Sequence, residues 1–346
     1  MKKTLLALIS FAIVIGLLAG CRANQPSQPS PSPSQGADDG QIKTGYAVIS
    51  SAEKSAAKEN GGTAQVDSTI VGVIVDGSGK ILNCAIDAVQ TIVEFDGEGK
   101  LVTPKDTIVP TKTELGTEYG MKKASKIGKE WDEQIKEFAK YVVGKTVDEV
   151  KGIAVSAEGA PTDAELSSTV TIKIGGYVAA IEKAVKNAKP IGSGANDKIG
   201  IGVSTNIKNS KDATSDADGV VQAYSTYSIL TLDSSDKITA SIIDASQVEV
   251  NFSKDGKITS DTKAAQKTKN ELGTEYGMKK ASGIGKEWNE QAEAFAKYTV
   301  GKTVSEVNGI AIDETTVPQV DELKSSVTIK VGDLLTAIEK AGANAK

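Results

Sequence analysis

Two short stretches of this chain carry side chains able to form an ester. Residues 163–173 read Asp-Ala-Glu-Leu-Ser-Ser-Thr-Val-Thr-Ile-Lys, and residues 320–330 read Val-Asp-Glu-Leu-Lys-Ser-Ser-Val-Thr-Ile-Lys. They lie 157 positions apart, so Ser326 stands where Thr169 stands and Thr328 where Thr171 stands. Each sets hydroxyls just ahead of apolar residues at helical spacing. A helix start offers free backbone N–H groups and a partial positive charge, so a phosphate esterified to a hydroxyl there is held rather than repelled. The same residues also admit a simpler role, with Thr171 and Thr328 as N-caps and the remaining hydroxyls in strand or turn.

Other chemistries are excluded by composition. The 346 residues contain no histidine, which removes Ser-His-Asp and Cys-His nucleophilic sites and the usual histidine-based zinc and haem sites. No catalytic residue and no metal site is expected, and redox chemistry would need an organic cofactor. Of the two cysteines, Cys84 lies in an apolar run whose repeat counterpart is Ser241, and it reads as a buried, inert thiol.

The elements that must position the hydroxyls are themselves duplicated. The run beginning Thr-Lys-Thr-Glu-Leu-Gly-Thr-Glu-Tyr-Gly-Met at Thr111 recurs at Thr268, and the same offset of 157 aligns Asp76 with Asp233 and Phe95 with Phe252 without a gap. A repeat this long is a copied domain rather than a solenoid unit. The reading is domain 1 at 43–189, a linker at 190–197 around Pro190-Ile191-Gly192-Ser193-Gly194, and domain 2 at 198–346. Runs rich in β-branched residues at 68–75, 80–86 and 91–95, separated by Asp76-Gly77-Ser78-Gly79 and by a short polar step, with Asp96-Gly97-Glu98-Gly99 closing the third, predict an antiparallel meander. Trp131, Ile135, Phe138, Ala139 and Val142 predict a helix stopped by Gly144, a short segment follows at 146–150, and Ile174, Val178, Ile181 and Val185 predict the last helix. Strands first and helices after give an α+β fold in each domain.

The stretch Glu114 to Met121, repeated as Glu271 to Met278, flanks an aromatic residue with glycines. It suits a loop that brings backbone close to something flat, or one whose glycines are demanded by backbone angles. Trp131 and Trp288 are the only tryptophans, in a chain with 4% aromatic residues. An amphipathic helix puts such rings into a core, and one or two could border a ring system.

The N-terminus has its own logic. Lys2 and Lys3 precede an uncharged apolar run ending in Leu18-Ala19-Gly20-Cys21, a secretion signal at 1–20 whose ending resembles a bacterial lipobox. That resemblance implies cleavage before Cys21, its lipidation, and anchoring of the chain on the outer face of the cell membrane. Loss of those two lysines would take the net charge from −5 to −7, a balance that argues against nucleic acid as a partner. Residues 21–42 are rich in Pro, Ser and Gln and read as a semi-extended tether, at about 3.1 Å per residue if largely polyproline II.

Taken with the double domain and the signal, the hydroxyl stretch resembles the covalent FMN-binding domain family. In that family a flavin transferase uses FAD to attach FMN, through its phosphate, to a hydroxyl in the pattern Asp-x-x-Ser-Gly-Ala-Thr-x-Thr. The resemblance makes Asp163 the motif acid, Thr169 the modified residue and Thr171 the trailing threonine, with Leu166-Ser167-Ser168 departing from Ser-Gly-Ala. In the second copy Ser326 takes the modified position and Thr328 the trailing one. Val320 stands where the acid is expected, with Asp321 one step on. The family resemblance implies two FMN groups, electrons arriving from a quinone pool reduced by a membrane NADH dehydrogenase, and electrons leaving to extracellular acceptors such as ferric iron. Candidate ring-lining residues are Tyr119, Met121 and Trp131, with Tyr276, Met278 and Trp288. The alternative from another class is a lipoprotein that binds a small ligand or a cell-wall component through two similar modules and carries no redox group.

Overall fold

A computed structural model describes residues 40–346. The expected signal at 1–20, the expected lipidation at Cys21 and the expected tether up to residue 39 lie outside the described residues. Among the described residues no helix is long and apolar enough to cross a membrane.

The first half opens with β1 (Lys43–Ser51), the short β2 (Ala56–Lys58), and two long strands, β3 (Gly61–Val75) and β4 (Ile81–Phe95). All pair antiparallel, with β3 central, β4 on one edge, and β1 and β2 sharing the other. Helices follow: α1 (Lys112–Leu115), a 3-10 turn at Gly116–Tyr119, α2 (Trp131–Val142), α3 (Val147–Lys151), α4 (Ala164–Ser167) and α5 (Gly175–Lys186). The second half repeats the plan with β5 (Lys198–Asn206), β6 (Gly219–Leu232), β7 (Ile238–Phe252), α6 (Lys269–Leu272), α7 (Trp288–Thr299), α8 (Val304–Asn308), α9 (Asp321–Lys324) and α10 (Gly332–Asn344). The α+β class and the antiparallel sheets are as read from the sequence.

Two expectations about strands are corrected. The runs at 80–86 and 91–95 are one strand, because the polar step between them is not a turn. Asp87 is buried within β4 and accepts hydrogen bonds from the N–H and hydroxyl of Thr113, at 3.2 and 2.9 Å. The offset of 157 also holds only from β3 onward. The first strands match at 155, since Thr44 N–H donates to Lys189 O and Ile199 N–H donates to Lys346 O. The connection from β5 to β6 is two residues longer than its counterpart. The Asp-Gly segments are hairpin turns: Asp76 Oδ1 accepts from the N–H groups of Ser78 and Lys80 at 3.0 and 2.9 Å.

Each sheet has one face on its own helices. In the first half Val71, Val73, Ile86 and Ala88 pack against Trp131, Ile135, Phe138, Ile174 and Ile181. The opposite face meets the other sheet. Val48, Ile70, Ile74 and Val89 share a cluster with Ile199, Ile201, Tyr227 and Ile229, while Val66, Val93 and Phe95 share another with Val221, Val250 and Phe252. The layers therefore run helix, sheet, sheet, helix. Apolar residues at consecutive positions of β3 are what a strand covered on both faces requires.

The halves are related by an approximate two-fold axis. Phe95 and Phe252, which are repeat partners, stack on each other with centroids 4.2 Å apart and planes 11° from parallel. Gly72 faces its own partner Ile229, and a Cβ on Gly72 would sit 2.8 Å from Ile229 Cγ2, so the sheets approach too closely there for a side chain. Lys183 on α5 pairs with Glu271 at 2.5 Å, and its partner Lys340 on α10 pairs with Glu114 at 2.7 Å. These pairs are about one-third exposed, so each adds roughly 0–1 kcal/mol and registers the halves rather than holding them. The segment 190–197 is itself pinned: Ser193 is buried and accepts a hydrogen bond from Thr44 Oγ1 at 2.6 Å.

Phe95→Ala would empty the axis of the shared core. It should lower stability by about 3–5 kcal/mol, and chemical denaturation followed by near-ultraviolet circular dichroism should show the tryptophan-containing helix layers of both halves melting together.

Candidate functional site

The hydroxyl stretch is built on a single helical turn. Asp163 caps α4, its Oδ1 accepting from the N–H groups of Glu165 and Leu166, both at 3.1 Å. Leu166 and Val170 are buried and fix the turn to the core. Between them Thr169 is half-buried, its hydroxyl donating to Leu166 O at 3.1 Å. Thr171 points its N–H and hydroxyl at one acceptor, Gln134 Oε1, at 2.8 and 3.2 Å.

The second copy reproduces this without the capping acid. Val320 occupies the N-cap position with backbone angles close to those of Asp163 and gives no side-chain bond. Asp321 does not replace Asp163: it is the first residue of α9, exposed, and its carboxylate accepts from Lys324 Nζ at 2.7 Å. That bond and the lysine's charge hold its carboxyl below the usual range. Even so, Ser326 Oγ donates to Leu323 O at 3.2 Å, and Thr328 N–H and Oγ1 reach Gln291 Oε1 at 2.8 and 3.1 Å. Buried Leu323 and Val327 hold the turn where the acid does not.

The helix-start expectation needs correction. Thr171 and Thr328 are not N-caps, and the long helix does not begin beside them. It begins at Gly175, capped by the backbone of Ile174 alone, and α10 likewise begins at Gly332 after Val331. The hydroxyls of Thr169 and Ser326 instead follow the C-terminal end of a one-turn helix. Gly175 and Gly176 open α5, and a Cβ at either would meet nothing within 4 Å.

Gln134 and Gln291 were not singled out from the sequence, yet they tie the site together. Gln134 is fully buried; its Nε2 donates to Ser125 Oγ and Lys129 O at 3.1 and 3.2 Å while its Oε1 holds Thr171. Gln291 does the same with Ser282, Lys286 and Thr328. A glutamine retained in both copies on the apolar side of an amphipathic helix was the available signal, since a buried amide must satisfy both of its ends. Glu130 and Glu287 are a second pair of this kind. Each is buried at the start of its helix, and each accepts from a methionine N–H, Met121 or Met278, at 2.8 Å.

The retained Glu114–Met121 stretch is explained by its backbone. Gly116 has φ 48° and Gly120 φ 76°; a Cβ would meet nothing within 4 Å at the first and only Glu118 O, at 3.8 Å, at the second, so they are present for their angles rather than for close approach of another chain segment. Tyr119, Met121, Tyr276 and Met278 are half-buried against the cores and keep accessible surface. Trp131 and Trp288 are 2% and 4% exposed and belong to those cores, so as they stand they offer no free ring face to a flavin. Trp131 Nε1–H donates to Tyr177 OH at 2.9 Å.

A lysine faces these rings in each half. Lys112 Nζ lies 4.6 Å from the Tyr119 ring centre and 5.4 Å from Trp131. Lys269 Nζ lies 4.6, 4.5 and 5.0 Å from Tyr224, Tyr276 and Trp288, and donates to Tyr224 OH at 3.0 Å. The ring faces attract the cation. Burial works against it and brings the Lys269 ammonium down from 10.5 to about 8, with the Asp244 carboxylate pulling the other way. Cys84 is buried as expected, and burial pushes its thiol up to about 12.

The site supplies an acceptor hydroxyl and a fixed backbone around it. It supplies no activating base, because Thr169 and Ser326 each bond a main-chain carbonyl. Comparison of the chain with protein-family models, curated proteins and solved structures found no match to any of them.

Gln134→Ala should cost about 1–3 kcal/mol for each buried polar group left without a partner, with Thr171 N–H the first to gain exchange in hydrogen–deuterium measurements. Lys269 sets a pH signature. Between about pH 8 and 10.5 the unfolded chain keeps a proton that the folded chain has lost. The stability of the native sequence should therefore rise with pH across that interval relative to Lys269→Met, read from paired denaturation curves.

Proposed function

We propose that each half carries a flavin mononucleotide esterified through its phosphate, to Thr169 in the first and Ser326 in the second. The protein then serves as a lipid-anchored electron carrier on the outer face of the cell membrane. The observation that supports this reading is that two hydroxyls, one repeat apart, have the same half-buried position and the same i−3 carbonyl bond although the capping acid of the first is missing from the second. What is kept is the hydroxyl and its fixed backbone, the two things an ester requires of its acceptor.

Forming that ester joins the hydroxyl oxygen to the riboflavin-side phosphorus of FAD. The pyrophosphate bond breaks, AMP leaves, and the hydroxyl proton is given up. A hydroxyl bonded to a carbonyl is not an activated nucleophile. The base and any metal belong to a separate FAD-dependent transferase, which is the partner this reading requires. When attached, the flavin supplies the electron-transfer chemistry. The chain's own contribution is to hold it: Gln134 and Gln291 lock the trailing threonines, and Tyr119, Met121, Tyr276 and Met278 are the candidate ring-lining groups that keep accessible surface.

Electrons would arrive from a membrane quinone pool reduced by an NADH dehydrogenase and leave to external acceptors such as ferric iron. A covalent link suits a carrier outside the cell, where a dissociable cofactor would be lost.

The test is intact-mass and peptide mapping of protein co-produced with its flavin transferase. The expected result is a yellow protein whose gel band fluoresces after denaturation, with FMN on the peptides containing Thr169 and Ser326. Thr169→Val should remove one flavin and leave the other. A colourless, unmodified polypeptide would favour the ligand-binding lipoprotein instead.

A further inference from the structure

The two-fold relation exposes one place where the halves differ by a whole aromatic ring. In the second half, Tyr46 reaches across from β1, donates its phenol to Asp244 Oδ2 at 2.9 Å and accepts from Asn270 Nδ2 at 2.9 Å. Asp244 is fully buried within β7. Its partner in the first half is Asp87, equally within β4, and Asn270 is matched there by Thr113. The strand register matches Tyr46 with Ile201, because Asn187 Nδ2 donates to Tyr46 O and Asn344 Nδ2 donates to Ile201 O. The phenol that completes the Asp244 site therefore has no counterpart beside Asp87.

What stands there instead is a cavity of about 540 Å³ lined by Ile201, Asp87, Thr113, Cys84, Ile135 and Ala139 among others. Its volume falls within the roughly 300–1,000 Å³ of small-molecule sites. Its walls are mostly apolar; Asn83, Asn344 and the lysines Lys136, Lys140 and Lys346 also line it, and Asp87 and Thr113 set a buried carboxyl group and a hydroxyl at one point. Burial pushes the Asp87 carboxyl up from its ordinary value, against the hydrogen bonds of Thr111, Ala88 and Thr113. Asp87 has the in-strand and helix-side donors that Asp244 has, and lacks the phenol.

We propose that this cavity is a binding site for a hydroxylated aromatic compound of one or two rings, whose hydroxyl donates to Asp87 as Tyr46 donates to Asp244. The ring lies against Ile201 and Ala139, in the place that Tyr46, reaching across from the first half, takes beside Asp244. The space exceeds a single phenol and admits a substituted one. The site is independent of flavin attachment, since neither Thr169 nor its Gln134 support lines it.

The probes are 4-methylphenol, which is the tyrosine side chain itself, and toluene, which lacks the hydroxyl. Titration into the full-length protein by calorimetry should give one site for 4-methylphenol, with binding about tenfold tighter than for toluene. Ile201→Tyr supplies the missing ring from within and should abolish binding. Ala139→Leu fills the space from the helix side and should weaken it at least tenfold, which keeps the test open if the tyrosine variant does not fold. Absence of 4-methylphenol binding, equal affinity for toluene, or unchanged binding in a folded filling variant would each overturn the assignment.

Discussion

Everything in this protein depends on a sheet face that no helix covers. In each half the helices lie on one side of the strands, and the apolar residues on the other side, such as Ile70, Val89 and Phe95, have only the opposite sheet to bury them. Duplication solves this within one chain. The second copy supplies the complementary face, and the approximate two-fold axis places Phe95 on Phe252 and Gly72 on Ile229. A back-to-back pair of sheets is an interior, so its loss carries the cost of a core rather than that of a transient interface.

That symmetry is most informative where it fails. The Asp67 position of the first half is Tyr224 in the second, and Tyr177 is matched by Leu334, so the ring that meets the tryptophan layer comes from a helix in one half and a strand in the other. The lysine beneath those rings is half-buried in the first half and nearly fully buried in the second. Asp163 caps its turn while Val320 cannot, and the backbone persists regardless. Such pairs separate what the fold demands from what one copy has acquired, because the surrounding scaffold is held constant.

Much of this was legible in the residues and some was not. The helix at Trp131–Val142 was readable because its apolar spacing is regular and Gly144, at φ 83°, stops it. The paired hydroxyls were readable because the repeat aligns them. The strand β4 was misread as two, since a buried aspartate looks like a turn residue until its partner Thr113 is seen. The helix start was misplaced because apolar periodicity begins before the helix does: Ile172 and Ile174 pack on the core or lie buried while the chain is not yet helical. Gln134 was missed because a single polar residue among apolar neighbours carries no spacing of its own. The back-to-back sheets could not be inferred at all: consecutive apolar positions in β3 say that both faces are covered and not by what.

The pinned segment at 190–197, joined to the shared core, has a consequence for any long-range role. Ser193 is buried against Thr44, and the strands on either side of the segment belong to sheets packed on each other. Whatever motion the described residues undergo, it carries both copies along as a single object. The gap between Thr169 and Ser326 is consequently a constant of the architecture, like the spacing of two teeth on one gear, and groups mounted there would meet any outside surface in a fixed relative pose.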